Sequence, residues 1–505
     1  MNAPHIPRVV VIGAGLGGLS AAAVLAGAGF QVTLCEKNPQ PGGKLNLLER
    51  EGFSFDMGPS ILTLPHVFRE VFARGGRPLE DYLTFIPVLP HWRNFFEDGT
   101  VFDLSPDREE TVRQLAHLGS GLDEPFRHFL AYSKRQYDAV DENYFKTAAD
   151  NTWQMLRRSS IRRILKLDLW RTMDGSVRRR LRNPHLRDTM DFFIKYVGSS
   201  ARRAPGFMNM LPNVQYEYGL WYVEGGMYSI ARALKRLLED LGADLRFGAR
   251  VAKIPVEKGR AEGVILADGS TIEADYVISN MEVIPACREL LPRDDRLLKR
   301  LERKFPPACS GLVVHLGTDR IYPQLAHHNF FFSGDQRQHF KSVFSKHKIP
   351  DDPTLYVVAP SRTDPAVCPE GCDNIKILPH IPALSDENEF TESDYSNLKD
   401  RILDKLERMG LEGLRDSTVV EHVWTPEDIR ENYLSNGGSI YGVATDMVRN
   451  FGFKAPKVSP RYPNLYFVGG SVNPGGGMPM VIMSGLRAAD AISNSNLLYR
   501  NFNKA

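Results

Sequence analysis

Residues 9–12 are four β-branched apolar residues in a row, the composition of a strand buried on both faces. Glycines at 13, 15, 17 and 18 interrupt the run, small apolar residues fill 17–26, and a second apolar stretch over 31–35 ends at Glu36. The pattern predicts strand, tight turn, helix, strand: a βαβ unit. Much further along, residues 228–241 place apolar side chains at helical spacing and 244–247 read as a strand. A hairpin around Asp268-Gly269 and a returning strand over 276–279 follow. Near the C-terminus "NLYFVGG" predicts one more strand, and "MPMVIMSGLRAADAIS" a helix with Pro479 in its first turn, where proline is tolerated. Residues 1–65, 225–282 and 460–495 therefore predict one discontinuous α/β domain. The intervening 66–224 and 283–459 carry helices and glycine- or proline-broken strand runs such as "TLYVVAP" and "IKILPHIP", and predict an inserted mixed-sheet and helical domain.

Composition adds a constraint on size and little else. A chain of 505 residues with 42% hydrophobic and 25% charged residues is long enough for two or three folded domains. The net charge of +2 hides an uneven distribution: residues 151–190 hold eleven Lys/Arg against three Asp/Glu, a local +8 on a body that sums to −6. Trp153, Leu156, Ile161, Ile164, Leu165 and Trp170 are interleaved with those arginines. That mixture predicts a basic amphipathic helix lying on an anionic membrane surface, and it argues against nucleic acid as the partner. The five cysteines are scattered and predict reduced thiols and no metal site. Residues 9–35 carry no charge over 27 positions, but six glycines there suit a buried βαβ unit and not a lipid-facing span. No transmembrane segment and no secretory signal are expected, which places the protein in the cytoplasm, peripherally bound to the inner face of the cell membrane.

Gly13, Gly15 and Gly18 satisfy G-x-G-x-x-G immediately after a strand and at the opening of a helix, with an acid eighteen residues beyond the last glycine. Gly13 permits the turn, Gly15 lets backbone amides approach a pyrophosphate, and Gly18 lets the helix lie on the sheet. Ala14, Leu16 and Gly17 complete the loop at the positive end of the helix dipole. Glu36, followed by Lys37, suits the hydroxyls of an adenosine ribose and would repel a 2′-phosphate, which disfavours NADP. The segment "GGKLNLLEREGFSFDMGPSIL" (42–62) supplies Gly43, Lys44, Gly58, Pro59 and Ser60 and resembles the continuation found in FAD-binding chains of the glutathione-reductase-like class, with Lys44 near the pyrophosphate. Val251 stands where such folds meet the adenine. In "GGSVNPGGGMPM" (469–480), Gly470, Ser471, Met478 and Pro479 form the strand-to-helix turn whose dipole would face an isoalloxazine ring, with glycines bare enough for backbone to lie against it.

Over nearly its whole length the sequence resembles the bacterial carotenoid desaturase family, flavin amine-oxidase-like enzymes that use FAD. The stretches "HWRNFFEDG", "FIKYVGSS", "SNMEVIPA", "AHHNFFFS", "KILPHIP" and "GGSVNPGGGMPM" are similar to its 4,4′-diapolycopene and 4,4′-diaponeurosporene oxygenase branch. Desaturases more often carry "THPGAG" where this chain has "VNPGGG", with Asn473 in place of the histidine. The resemblance implies an FAD-dependent oxidation of terminal methyl groups of a linear apolar C30 carotenoid to aldehydes, with O2 or a quinone as electron acceptor. A diapophytoene- or phytoene-type desaturase and a carrier without turnover stay open beside it. The basic segment then has a use, since such a substrate dissolves in the bilayer.

No general base announces itself. His327, His328, His380 and Glu224 are the candidates for holding a proton acceptor or water, against a purely structural role for a histidine beside an apolar run. Tyr196, Tyr216, Tyr218, Trp221 and Tyr222 are candidates for a polyene tunnel, against core packing.

Overall fold

A computed structural model describes residues 6–146, 149–385 and 389–502. Five parallel strands form one sheet in the order Leu465–Phe467, Tyr276–Ser279, Arg8–Ile12, Gln31–Glu36, Asp244–Phe247. The first βαβ unit thus supplies the centre, and the strand from the far end of the chain closes one edge. Val9, Val10 and Val11 are buried, as a strand covered on both faces requires. The Leu16–Gly27 and Met478–Phe502 helices pack against each other on this sheet, and Ser229–Asp240 joins them. Leu16–Gly27 begins one residue before the position expected, and Ser229–Asp240 falls within the 228–241 expected.

The second layer is a mixed sheet in the order Thr418–Trp424, Val313–Thr318, Asp373–Ile381, Leu355–Val358, His328–Phe331, Trp92–Phe95, Val101–Leu104. All neighbours are antiparallel except the parallel pair His328–Phe331 with Trp92–Phe95. Every residue of Asp373–Ile381 is buried, so this strand is the spine of the inserted part. Helices Asp123–Val140 and Leu211–Tyr218 pack against each other in the inserted part.

Residues 151–190 do not form the single amphipathic helix expected. They fold as Thr152–Arg158, Ile161–Ile164, Met173–Arg180 and Pro184–Phe192. The breaks are local capping chemistry. Asn151, Thr172 and Asn183 accept hydrogen bonds from the amides of Gln154, Gly175 and Leu186, each starting a new helix, and Pro184 sits at the first turn of the last. Met173, Val177, Leu186 and Met190 are buried, so the second half of the segment is core. Exposed apolar side chains are confined to the first half, at Trp153, Leu156, Leu165 and Trp170. No helix of the described residues is long and apolar enough to cross a membrane.

Candidate active site

The glycine loop opens a cavity of about 320 Å³ that runs along the C-terminal edge of the parallel sheet. Gly13 has φ +93°, and its amide donates to the Cys35 carbonyl at 2.8 Å, folding the turn back on the neighbouring strand. Glu36 is buried beside it: its carboxylate accepts from the Ala14 amide at 2.7 Å and the Asn38 amide at 2.9 Å, and it keeps further acceptor positions on the cavity side. A Cβ at Gly15 would lie 2.4 Å from Asn280 Nδ2, and one at Gly43 only 3.2 Å from the Gly15 Cα. Bare backbone on both walls therefore leaves a slot suited to a pyrophosphate, and the residues present fit the cofactor that the glycine motif predicts.

Gly13, Gly15, Leu16, Glu36, Lys37 and Gly43 line this cavity, as do Lys44, Gly58, Pro59, Ser60, Val251, Gly470 and Met478. Ala14 acts through its amide on Glu36. Gly17 and Gly18 lie behind the loop, where Gly18 N donates to Asn280 Oδ1 at 3.1 Å. Ser471 faces away and accepts from the Val283 amide. Lys44 Nζ donates to Glu282 Oε1 at 2.8 Å and to the Ser439 carbonyl at 2.7 Å, which fixes its charge on the cavity wall.

Among the lining residues that sequence does not point to, three act between distant segments. Asn280 closes the strand Tyr276–Ser279 over the glycine loop; Glu282 holds Lys44; and Lys376 reaches from the spine strand of the mixed sheet to the 56–60 turn. Lys376 Nζ donates to the Asp56 carbonyl at 3.0 Å, to Ser60 Oγ at 3.1 Å and to the Gly58 carbonyl. Burial pulls its amine down to about 8. Asp56 in turn accepts from the Met227 and Tyr228 amides at 2.9 and 3.1 Å, so one turn is clamped by both layers.

A second, apolar cavity of about 190 Å³ runs through the helical insertion, lined by Leu64, Val140, Met208, Leu211, Val214 and Phe453 among others. Ile61, Tyr196, Gly476, Gly477 and Met478 line both cavities, so the two meet at the C-terminal glycine turn. The far end is lined by Met155, Leu167, Leu169 and Phe451, and Phe451 is 63% exposed. Pro479 lines this tunnel and not the first cavity. Asn473, the departure from the desaturase pattern, points away from both: its Oδ1 accepts from Tyr144 Oη at 2.7 Å and the Lys454 amide at 2.8 Å, and its Nδ2 donates to the Asp150 and Lys454 carbonyls. It shapes the turn through these hydrogen bonds.

The four candidate bases do not enter the site. Glu224 is exposed on a turn beyond the Trp221–Val223 strand. His327 and His328 are buried in the mixed sheet, with Nδ1 of each bonded to Thr363 Oγ1 at 2.7 Å and Tyr356 Oη at 3.0 Å, and neither lines a cavity. Burial drives His327 and His380 down to about 3 and His328 well below the usual imidazole range. His380 reaches the first cavity only through Tyr441, 3.4 Å from its Nε2. Of the five aromatic candidates Tyr196 alone lines the tunnel. Tyr216 and Tyr218 bond to Thr111 and Tyr137, Trp221 donates to the Tyr218 carbonyl, and Tyr222 packs edge-on to His327, which is core packing in each case.

The flavin containing amine oxidoreductase family matches residues 16–493. The chain is 54% identical over 493 residues to a 4,4′-diapolycopene oxygenase of Methylomonas sp, spanning 97% of this chain and 99% of that one. It is 47% identical over 488 residues to a 4,4′-diaponeurosporene oxygenase of Staphylococcus aureus, spanning 96% and 98%. Among solved structures, an oxidoreductase from Methanosarcina mazei superposes with a TM-score of 0.65 at 18% identity, covering 96% and 100%. Cyclohexylamine oxidase from Brevibacterium oxydans superposes with 0.61 at 15%, covering 97% and 99%. At that identity the likeness establishes the fold alone. A parallel-sheet nucleotide layer, a glycine cradle, a buried ribose-type acid and the family match converge: the chain belongs to the flavin-containing amine oxidoreductase family, and its cofactor is FAD.

Proposed function

We propose that this chain oxidises the terminal methyl groups of a linear C30 carotenoid to aldehydes, the substrate class named for the oxygenase relatives. The observation that carries the reading is the junction of an apolar tunnel with the cofactor cavity at Ile61, Tyr196 and Gly476–Met478. A wall of Leu, Val, Met and Phe gives an amine nothing to bond to, whereas a polyene gains by every part of its chain that it buries against such a wall.

Bound FAD supplies the acceptor for a hydride taken from the substrate. The chain's own residues do the rest. Segments 1–65, 225–282 and 460–495 serve as the cofactor domain, and 66–224 with 283–459 as the substrate domain. Gly15 and Leu16 offer their amides to the pyrophosphate, Gly13 and Ala14 hold the turn through their amide bonds to Cys35 and Glu36, and Gly17 and Gly18 hold the helix in place behind them. Glu36 and Lys37 face the ribose, Val251 the adenine, and Gly43 and Lys44 the phosphates. Gly58, Pro59, Ser60, Gly470 and Met478 frame the flavin end, with Ser471 holding the turn from behind through Val283 and Pro479 on its tunnel side. The apolar wall excludes bulk water from the reacting carbon.

Expression in a host that makes 4,4′-diapolycopene, followed by mass spectrometry of the pigments, tests this. The expected product has one oxygen in place of two hydrogens at each oxidised end. A product that has lost hydrogens and gained no oxygen would make the enzyme a desaturase.

The tunnel's outer end also supports attachment to a membrane. Met155, Leu167 and Leu169 line the tunnel while their neighbours Trp153, Leu165 and Trp170 point outward, Trp170 at 80% and Trp153 at 67% exposure. Arg157, Arg158, Arg162, Arg163 and Lys166, all exposed, alternate with them along the chain. Exposed apolar and cationic side chains on the segment that also lines the apolar channel suit extraction of substrate from an anionic leaflet, on the cytoplasmic face. Flotation with vesicles containing anionic lipid is expected to carry the protein up. The Trp153→Ala/Trp170→Ala double variant is expected to reduce the bound fraction at least about fivefold. Equal flotation of the two proteins would remove this patch as the attachment site.

A further inference from the structure

Among the described residues lining the tunnel, Lys454 is the only one with an acidic or basic side chain. It is 3% exposed, and among the described residues its amine makes one hydrogen bond, to Thr445 Oγ1 at 2.7 Å, and no ion pair. The nearest carboxylate that acts on it, Asp446, is already engaged by Arg203 at 2.7 Å and by the Val448 and Arg449 amides. Asp150, on the other side of Asn473, is engaged by Lys457 at 2.7 Å. With no charge partner of its own, the amine is brought down by burial to about 7.

Its position is set by the cofactor turn. The Lys454 amide and carbonyl are both bound by Asn473, and its Cε lies 3.1 Å from where a Gly475 Cβ would stand. The residues that follow, Gly476 to Met478, are the neck shared by the two cavities. Lys454 therefore stands in the tunnel wall immediately beside the neck. A hydrocarbon gives an amine nothing to bond to, and the wall would hold it better with leucine or methionine there. An oxygen on the polyene's end is a different ligand: the amine can donate to an aldehyde oxygen, or exchange a hydrogen bond with an alcohol, with Thr445 behind it.

We propose that Lys454, backed by Thr445, binds the oxygen of an already oxidised polyene terminus and retains the alcohol-level intermediate at the neck until its second oxidation. This rests on the carotenoid reading above, and adds to it a polar recognition point. The site's ligand class is a long polyene with a terminal alcohol or aldehyde.

The test compares flavin-loaded wild type, Lys454→Met, Lys454→Gln and Thr445→Val. Each is titrated anaerobically with 4,4′-diapolycopene and with the same polyene carrying one terminal aldehyde, and binding is followed by polyene absorption. Wild type is expected to prefer the aldehyde by about tenfold, the worth of one good buried hydrogen bond. The preference is expected to collapse towards unity in Lys454→Met, to weaken in Thr445→Val, and to survive in part in Lys454→Gln, which keeps an N–H donor. In turnover, Lys454→Met is expected to release alcohol where wild type releases aldehyde. An unchanged aldehyde preference in a flavin-loaded Lys454→Met protein overturns the inference and leaves the carotenoid reading standing. Failure of wild type to bind or oxidise the hydrocarbon at all overturns the carotenoid reading itself. Flavin content and melting temperature are recorded for every variant. If Lys454→Met does not fold, Thr445→Val decides in its place, and an aldehyde preference equal to that of wild type in that variant overturns the inference.

Discussion

Replacing Gly18 by alanine is expected to give a colourless protein that retains no FAD. A Cβ at that position would lie 2.1 Å from the Gly13 carbonyl oxygen, 3.2 Å from Asn280 Cβ and 3.3 Å from Val11 Cγ1. The first of these is backbone, held by the hydrogen bond of the Gly13 amide to Cys35 and by the strand it ends, so it cannot rotate away. The Leu16–Gly27 helix must lift instead. Lifting breaks the 3.1 Å hydrogen bond from Gly18 to Asn280 and forces the helix into Met478–Phe502, which crosses it at Gly485. There a Cβ would already sit 2.2 Å from Ser20 Oγ and 2.6 Å from the Gly17 carbonyl, so no slack exists. Alanine's better helix propensity offsets only about 1 kcal/mol. The overlap costs about 3 kcal/mol and displaces the amides that would hold the pyrophosphate. Flavin absorbance of the purified protein and its melting temperature with and without added FAD check this. A yellow Gly18→Ala protein melting with wild type would show that the helix does not need to lie so close.

The parts of this site that sequence made legible are those whose chemistry is local. Residues 8–36 declare themselves because a β-branched run, spaced glycines and a terminal acid are all within one βαβ unit, and the parallel sheet then recruits the strands whose apolar runs are just as plain. Asn280, Glu282 and Lys376 were illegible for the opposite reason. Each acts across more than two hundred residues, on Gly18, Lys44 and the 56–60 turn, and no spacing along the chain encodes such a contact. Glu224 shows that nearness to "GGM" in sequence is not nearness in space: it is exposed on a turn that Gly225 and Gly226 form at φ +75° and +93°. The 151–190 segment shows a signal present but outweighed. Its amphipathic composition suggested one long helix, while Asn151, Thr172 and Asn183 were already in place as caps. The consequence is functional, since the breaks let Met155, Leu167 and Leu169 turn inward to the tunnel while Trp153 and Trp170 turn outward.

If the neck is the only way for an apolar chain to reach the flavin, Ile61→Trp is expected to lower polyene oxidation more than about 100-fold, some 2.7 kcal/mol in the barrier, with FAD retained. Ile61 lines both cavities and its side chain faces Tyr196, Gly476, Gly477 and Met478 across the junction. Its backbone has nowhere to retreat. On one side Lys376 holds the Gly58 carbonyl and Ser60 Oγ; on the other the Trp221 amide donates to the Leu62 carbonyl at 2.9 Å. The extra bulk of an indole must therefore go into the neck. Ile61 makes no side-chain hydrogen bond that the change could break, and the ribose and pyrophosphate end of the cavity, at Glu36 and Gly15, is built by other segments. Ile61→Ala, which widens the junction, is expected to keep activity within about fivefold, and the pair separates obstruction from loss of isoleucine packing. Stopped-flow reduction of the bound flavin by polyene, with flavin content measured on the same sample, reads the effect directly. Wild-type reduction rates in a flavin-loaded Ile61→Trp protein would mean that the substrate reaches the ring by another path, and the tunnel through the helical insertion would lose its role.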